Sequence, residues 1–176
     1  MLSMPISRLS VKRRIRAMSA LLFILCSTCS IATGTGSDAL PLRDQFGNTD
    51  SLASHRGAIV VAIVVDVGRL STIQRWGEEL GKRHPDLHFL NVAEMPAEGQ
   101  VDIARVEATL QKRVPATVAV LIDVERHWAS TYSLDTAAPN LLVFDREGKL
   151  AGQVRGRFSD ERGASITAII DALLAQ

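Results

Sequence analysis

Cysteine is almost absent from this chain. Its 176 residues include two, Cys26 and Cys29, and none follows position 29. A disulfide framework across the bulk of the chain is therefore excluded, as is thiol chemistry carried by any later residue. Long apolar runs are also missing. The run from Ala17 to Cys26 is shorter than the roughly 20 residues that a membrane-spanning helix needs. The third shortage is of basic excess. The net charge is +1, but the first 32 residues hold Arg8, Lys12, Arg13, Arg14 and Arg16 and no acid, so the remainder carries −4. Neutralising phosphates takes clustered Lys and Arg, which argues against nucleic acid and equally against an anionic membrane surface as partner. There is no internal repeat. What is present is a length suited to one domain and 47% apolar residues, enough for a real core.

The start reads as a targeting segment. A basic stretch ends at Arg16, the apolar stretch follows, and Ser30-Ile31-Ala32 fits the small-x-small rule of a signal peptidase. The expected division is a signal peptide over residues 1–32, a Gly/Ser/Thr lead-in over 33–39 and one domain over 40–176, with the mature protein periplasmic or secreted and no longer tied to a membrane. An N-terminally anchored form, or a lipoprotein made through Cys26 or Cys29, is the alternative. The Cys-x-x-Cys spacing of that pair is of redox type, but a discarded leader would remove it.

From Leu40 onward the pattern alternates strand and helix signals. Leu40 to Asp44 and the turn Phe46-Gly47-Asn48 open a hairpin, and Asp50 and Ser51 can cap a short turn through His55. Ala58 to Val67, β-branched almost throughout, reads as a central strand buried on both faces. Ser71 or Thr72 can cap a helix to about His84, with Ile73, Trp76 and Leu80 on one stripe. Leu87 to Val92 completes a βαβ unit. Val101 to Arg113 reads as a helix with Ile103, Val106 and Leu110 inward, Thr117 to Ile122 as a strand, and Glu125 to Tyr132 as a short helix. Asn140 to Phe144 and Lys149 to Val154 form a hairpin across Asp145 to Gly148. Ser159 or Asp160 then caps a last helix through Leu174, burying Ile166, Ile169, Ile170 and Leu173. The expected class is α/β: a mixed sheet with helices on both faces, βαβ then ββα.

On these residues the chain resembles the thioredoxin-like superfamily, of redoxin and peroxiredoxin type. Pro139 stands before Asn140-Leu141-Leu142-Val143-Phe144, where that superfamily places a proline, usually cis. The hairpin Val143-Phe144-Asp145-Arg146-Glu147-Gly148-Lys149 and the opening Leu42-Arg43-Asp44-Gln45-Phe46-Gly47-Asn48 are similar as well. The loop that carries the reactive cysteines in redox relatives here reads Asp66-Val67-Gly68-Arg69-Leu70-Ser71-Thr72 and holds none. Its Gly68-Arg69-x-Ser71 pattern, with the leader, is similar to the YtfJ-type family of exported proteins. That family is redoxin-like in fold, lacks the thiol pair and has no settled activity.

The candidate ligand-binding residues are Gly68, Arg69, Ser71, Thr72, Ala138 and Pro139. Arg69 beside a helix N-terminus makes a ready place for a carboxylate or phosphate, while a plain helix cap accounts for Ser71 and Thr72 alone. No catalytic residue stands out, because Ser71 lacks an evident base. His84 and His88 straddle Pro85 and cannot share one helix face, so no metal site is read, and nothing calls for a cofactor. His127 and Trp128 lie near the Pro139 loop, where Trp128 is either groove wall or core. Asp66 ends a buried strand at the edge where α/β proteins place ligands.

The resemblance implies a groove beside the proline loop that takes extended peptides in redox relatives. The expectation is a non-thiol binding module for a periplasmic protein or a small anionic ligand. The alternative is a redoxin-family oxidoreductase, of peroxiredoxin or thiol-disulfide type, acting without cysteines or through those of a retained leader.

Overall fold

Val60–Asp66 is the centre of the molecule, and its first six residues are buried. A strand flanked by neighbours on both edges and covered on both faces has no use for alternation, so an unbroken Val-Val-Ala-Ile-Val-Val run fits it. The computed structural model describes residues 41–97 and 99–176. The expected leader, the lead-in, Cys26 and Cys29 lie outside the described residues.

In chain order the elements are β1 (Leu42–Asp44), β2 (Thr49–Asp50), a 3-10 turn (Leu52–His55), β3 (Val60–Asp66), a second 3-10 turn (Val67–Arg69), α1 (Ser71–Arg83), β4 (His88–Glu94), α2 (Ile103–Arg113), β5 (Leu121–Asp123), α3 (His127–Tyr132), β6 (Asn140–Phe144), β7 (Leu150–Arg155) and α4 (Asp160–Leu174). Among the described residues they build one sheet in the order β2-β1-β5-β4-β3-β6-β7. The middle strands β5, β4 and β3 are parallel, and antiparallel strands β1 and β6 flank them. This is the expected mixed sheet.

Each face of β3 feeds a separate core. Val61, Ile63 and Val65 pack with Ile73, Trp76 and Leu80 of α1, Leu110 of α2, and Ile166 and Ile170 of α4. Val60, Ala62 and Val64 pack on the other side with Leu52, Trp128, Leu134 and Phe144. Trp76 is fully buried, donates its indole N–H to the Gly156 carbonyl at 3.2 Å, and meets Phe158 edge-on at 5.0 Å. That bond satisfies the one polar atom of the ring, which burial would otherwise make costly.

Several expectations need correction. The strand expected over 117–122 is reduced to Leu121–Asp123. The backbone ahead of it bonds to side chains instead: Gln45 donates Nε2 to the Val118 carbonyl and accepts from the Val120 amide, both at 2.8 Å, and Asn91 donates to the Ala119 carbonyl at 3.0 Å. Ile103, expected inward, is 48% exposed, because α2 meets the sheet only through its later turns, where Leu110 is fully buried. The short helix begins at His127 rather than Glu125, since Arg126 is left-handed at φ 57°. Ile169 is only half-buried: it lies along β7, where a Cβ on Gly152 would come 2.6 Å from its Cδ1.

Candidate functional site

Three parallel strands end on an acid at one edge of the sheet. Asp66 closes β3, Glu94 closes β4 and Asp123 closes β5, and they are direct register partners across the sheet. The side-chain alternation of a strand puts all three on the face that carries α3. The loops leaving this edge, with the first turn of α1, hold the six candidate ligand-binding residues Gly68, Arg69, Ser71, Thr72, Ala138 and Pro139.

Asp66 turns the chain. Its Oδ1 accepts from the Gly68 amide at 2.8 Å, which caps the 3-10 turn leading into α1. The expected cap by Ser71 or Thr72 is not formed, because both lie inside α1. Leu70 occupies the cap position in helical conformation, at φ −54° and ψ −32°, and supplies no side-chain acceptor. The positive end of a 13-residue helix is thus left without a side-chain cap. Arg69, half-buried just before it, forms no hydrogen bond or ion pair with the described residues. Next to Val67 opens a cleft of about 300 Å³, lined also by Pro96, Val101, Asp102 and Arg105.

Ala138 and Pro139 arrive at the same edge, since Asn140 pairs with Val64. Pro139 is buried and its carbonyl accepts from the Gly156 amide at 2.8 Å. The Ala138 carbonyl accepts from Asn140 Nδ2 at 3.0 Å, and its amide lies 3.5 Å from the Asp135 carbonyl. The backbone here is tied into the fold, which makes it a rigid wall.

Glu94, Asp123 and Arg126 were not singled out in the sequence, although an acid closing each parallel strand was the available signal. Glu94 is 1% exposed; its Oε1 accepts from the Ala129 amide at 2.6 Å and its Oε2 from Arg126 Nε at 3.3 Å. Asp123, fully buried, accepts from the Trp128 amide through Oδ2 at 2.9 Å, while its Oδ1 has no hydrogen-bond partner among the described residues. Burial, and then the charge of Asp123, lifts the Glu94 pKa above its usual 4.5 against the opposing pull of Ala129 and Arg126. Arg126 also donates to Thr136 Oγ1 at 3.0 Å. It and Ser133, at φ 53°, bracket α3 with left-handed backbone, a conformation that costs a non-glycine residue energy and recurs at functional sites.

Trp128 is core, 2% exposed and edge-on to Phe144 at 6.0 Å, so it lines no groove. His127 pairs with Glu125 at 2.9 Å. His84 and His88 lie at the opposite edge of the sheet, after α1 and at the start of β4. Among the described residues no group of three or more His, Cys, Asp or Glu is placed to hold a metal ion, and no helix is long and apolar enough to cross a membrane.

No family model and no curated protein matches the sequence. Solved structures do match the fold. The exposed lipoprotein thioredoxin Etrx1 of Streptococcus pneumoniae superposes with a TM-score of 0.61 at 19% identity, over 74% of this chain and 97% of its own. A putative thiol:disulfide interchange protein DsbE from Chlorobium tepidum gives 0.56 at 20% identity, over 79% and 96%. Peroxiredoxin Q of Xanthomonas campestris gives 0.55 at 10% identity, over 77% and 92%. At these identities the likeness is one of architecture, and the architecture of this chain is the thioredoxin-like α/β fold.

Proposed function

We propose that this protein is an exported, non-thiol binding module of YtfJ type, which takes a small anion or an acidic segment of a periplasmic partner at the carboxyl edge of its sheet. Gly68, Arg69, Ser71 and Thr72 make the contact, and Ala138 and Pro139 form the wall behind them. The observation that carries this reading is the start of α1 without a side-chain cap, beside an Arg69 that forms no hydrogen bond or ion pair with the described residues. A helix start and a guanidinium at one point favour a carboxylate or phosphate oxygen. No cysteine stands in the loop.

Amide chemical shifts of the secreted protein, titrated with sulfate and with acetate, test it. Saturable shifts centred on residues 68–72, lost in Arg69→Glu, are the expected result. Shifts spread evenly over the surface would overturn it. A second reading, a redoxin-type oxidoreductase, is favoured by the Cys26-x-x-Cys29 spacing. Its mark would be an intact mass that retains the leader, together with insulin-disulfide reduction abolished by Cys26→Ser.

A further inference from the structure

We propose a second anion site at the opposite, amino-terminal edge of the sheet, built for a small organic phosphate with an apolar body. A cleft of about 400 Å³ opens there, and its polar lining is mostly basic. Arg83 and His84 come from the end of α1, His88 from the start of β4 and Arg146 from the β6–β7 turn, against one acid, Asp86.

Three of these groups have hydrogen-bonding capacity to spare among the described residues, while His88 packs its ring against that of His55 at 5.3 Å. Arg83 forms no hydrogen bond or ion pair with the described residues. His84 Nε2 is buried without a hydrogen bond among the described residues, and faces Asp171 Oδ1 at 3.7 Å. Arg146 spends NH1 on the Leu173 carbonyl at 3.0 Å, which anchors the guanidinium and leaves its other N–H groups for an incoming oxygen. Favourable interaction with the carboxyl end of a helix accounts for Lys82 and Arg83. It does not account for His88, which belongs to a strand, or for the convergence of three separate elements on one cleft.

The apolar part of the lining sets the class of ligand. Ile59, Leu87 and Leu174 lie in the same cleft, and Leu174 is 51% exposed. Two guanidinium groups suit the tetrahedral oxygens of a phosphate, and the aliphatic surface suits a short hydrocarbon or aromatic body attached to it. The site lies at the other end of the strands from Arg69 and does not depend on it.

Calorimetry and amide shift mapping with phenyl phosphate and with inorganic phosphate test the proposal on the secreted protein. Phenyl phosphate should bind saturably and more tightly than inorganic phosphate, with shifts centred on residues 57–59 and 83–88. Arg83→Glu, an exposed change, should weaken it about tenfold or more, His84→Gln should weaken it in the same direction, and Arg69→Glu should leave it unchanged. Shifts centred on residues 68–72, or equal binding by the Arg83→Glu protein, would overturn the site. Binding of both phosphates with equal affinity would overturn the role of the apolar lining.

Discussion

Glu94 and Asp123 sit side by side at the ends of β4 and β5 and hold consecutive amides of α3, Glu94 that of Ala129 and Asp123 that of Trp128. Two buried carboxylates thus seat one short helix, with Arg126 as the cation partner of Glu94 among the described residues.

The first prediction concerns pH. The folded state raises the Glu94 pKa, so the native protein holds that proton more tightly than the unfolded chain does. The native state therefore gains stability as pH falls through the raised pKa toward 4.5, and loses it as pH rises through the same window. Urea unfolding of the wild type and Glu94→Gln should show the difference between them shifting in favour of the wild type on acidification. A difference independent of pH would mean that Arg126 cancels the effect of burial.

Arg126 carries two opposed effects. Arg126→Ala leaves Glu94 buried without its cation and should cost about 3 kcal/mol. Arg126→Gly loses the same ion pair but relieves the left-handed backbone, so it should be more stable than the Ala variant by about 1 kcal/mol. Equal thermal midpoints for the two would show that the backbone there stores no strain.

Gln45→Ala removes the side chain that takes both the Val118 carbonyl and the Val120 amide. A loss of about 2 kcal/mol is expected, because buried backbone groups are left unmet. Hydrogen exchange should rise first at Val120, and Gln45→Glu should fail to restore the Val118 contact, since a carboxylate cannot donate.

Gly148 has φ +76°, and a Cβ placed on it would lie 2.8 Å from Arg56 NH1. Gly148→Ala should cost about 2 kcal/mol, from both the backbone and the displaced guanidinium. Gly77→Ala, at a helical position with open space around it, should instead stabilise by up to about 1 kcal/mol. Chemical denaturation of the two variants should give shifts of opposite sign.

Most of the fold is legible in the sequence because its signals are local. The unbroken Val60 to Val65 run marks a doubly covered strand, Ser159 caps α4 through the Arg162 amide as read, and Ser51 caps its turn through the Ser54 amide. What escaped is long-range. Nothing near Leu121 shows that Gln45, some 75 positions earlier, takes the bond that shortens β5. Ser71 and Thr72 look like caps by composition, yet Asp66 starts the turn early and carries both inside the helix. At the candidate site the loop residues were readable from their position after the central strand. An acid at the end of each parallel strand is visible in the sequence, but that Asp66, Glu94 and Asp123 stand side by side depends on strand register, which a single sequence does not display.

The chain holds two tryptophans, and the sheet separates them: Trp76 belongs to the core under α1 and α4, Trp128 to the core under α3. Each is therefore a private optical reporter of one layer. With Trp76→Phe the remaining fluorescence follows only the α3 side, and with Trp128→Phe only the other. Comparing the two melting curves would show whether the layers come apart together or one after the other.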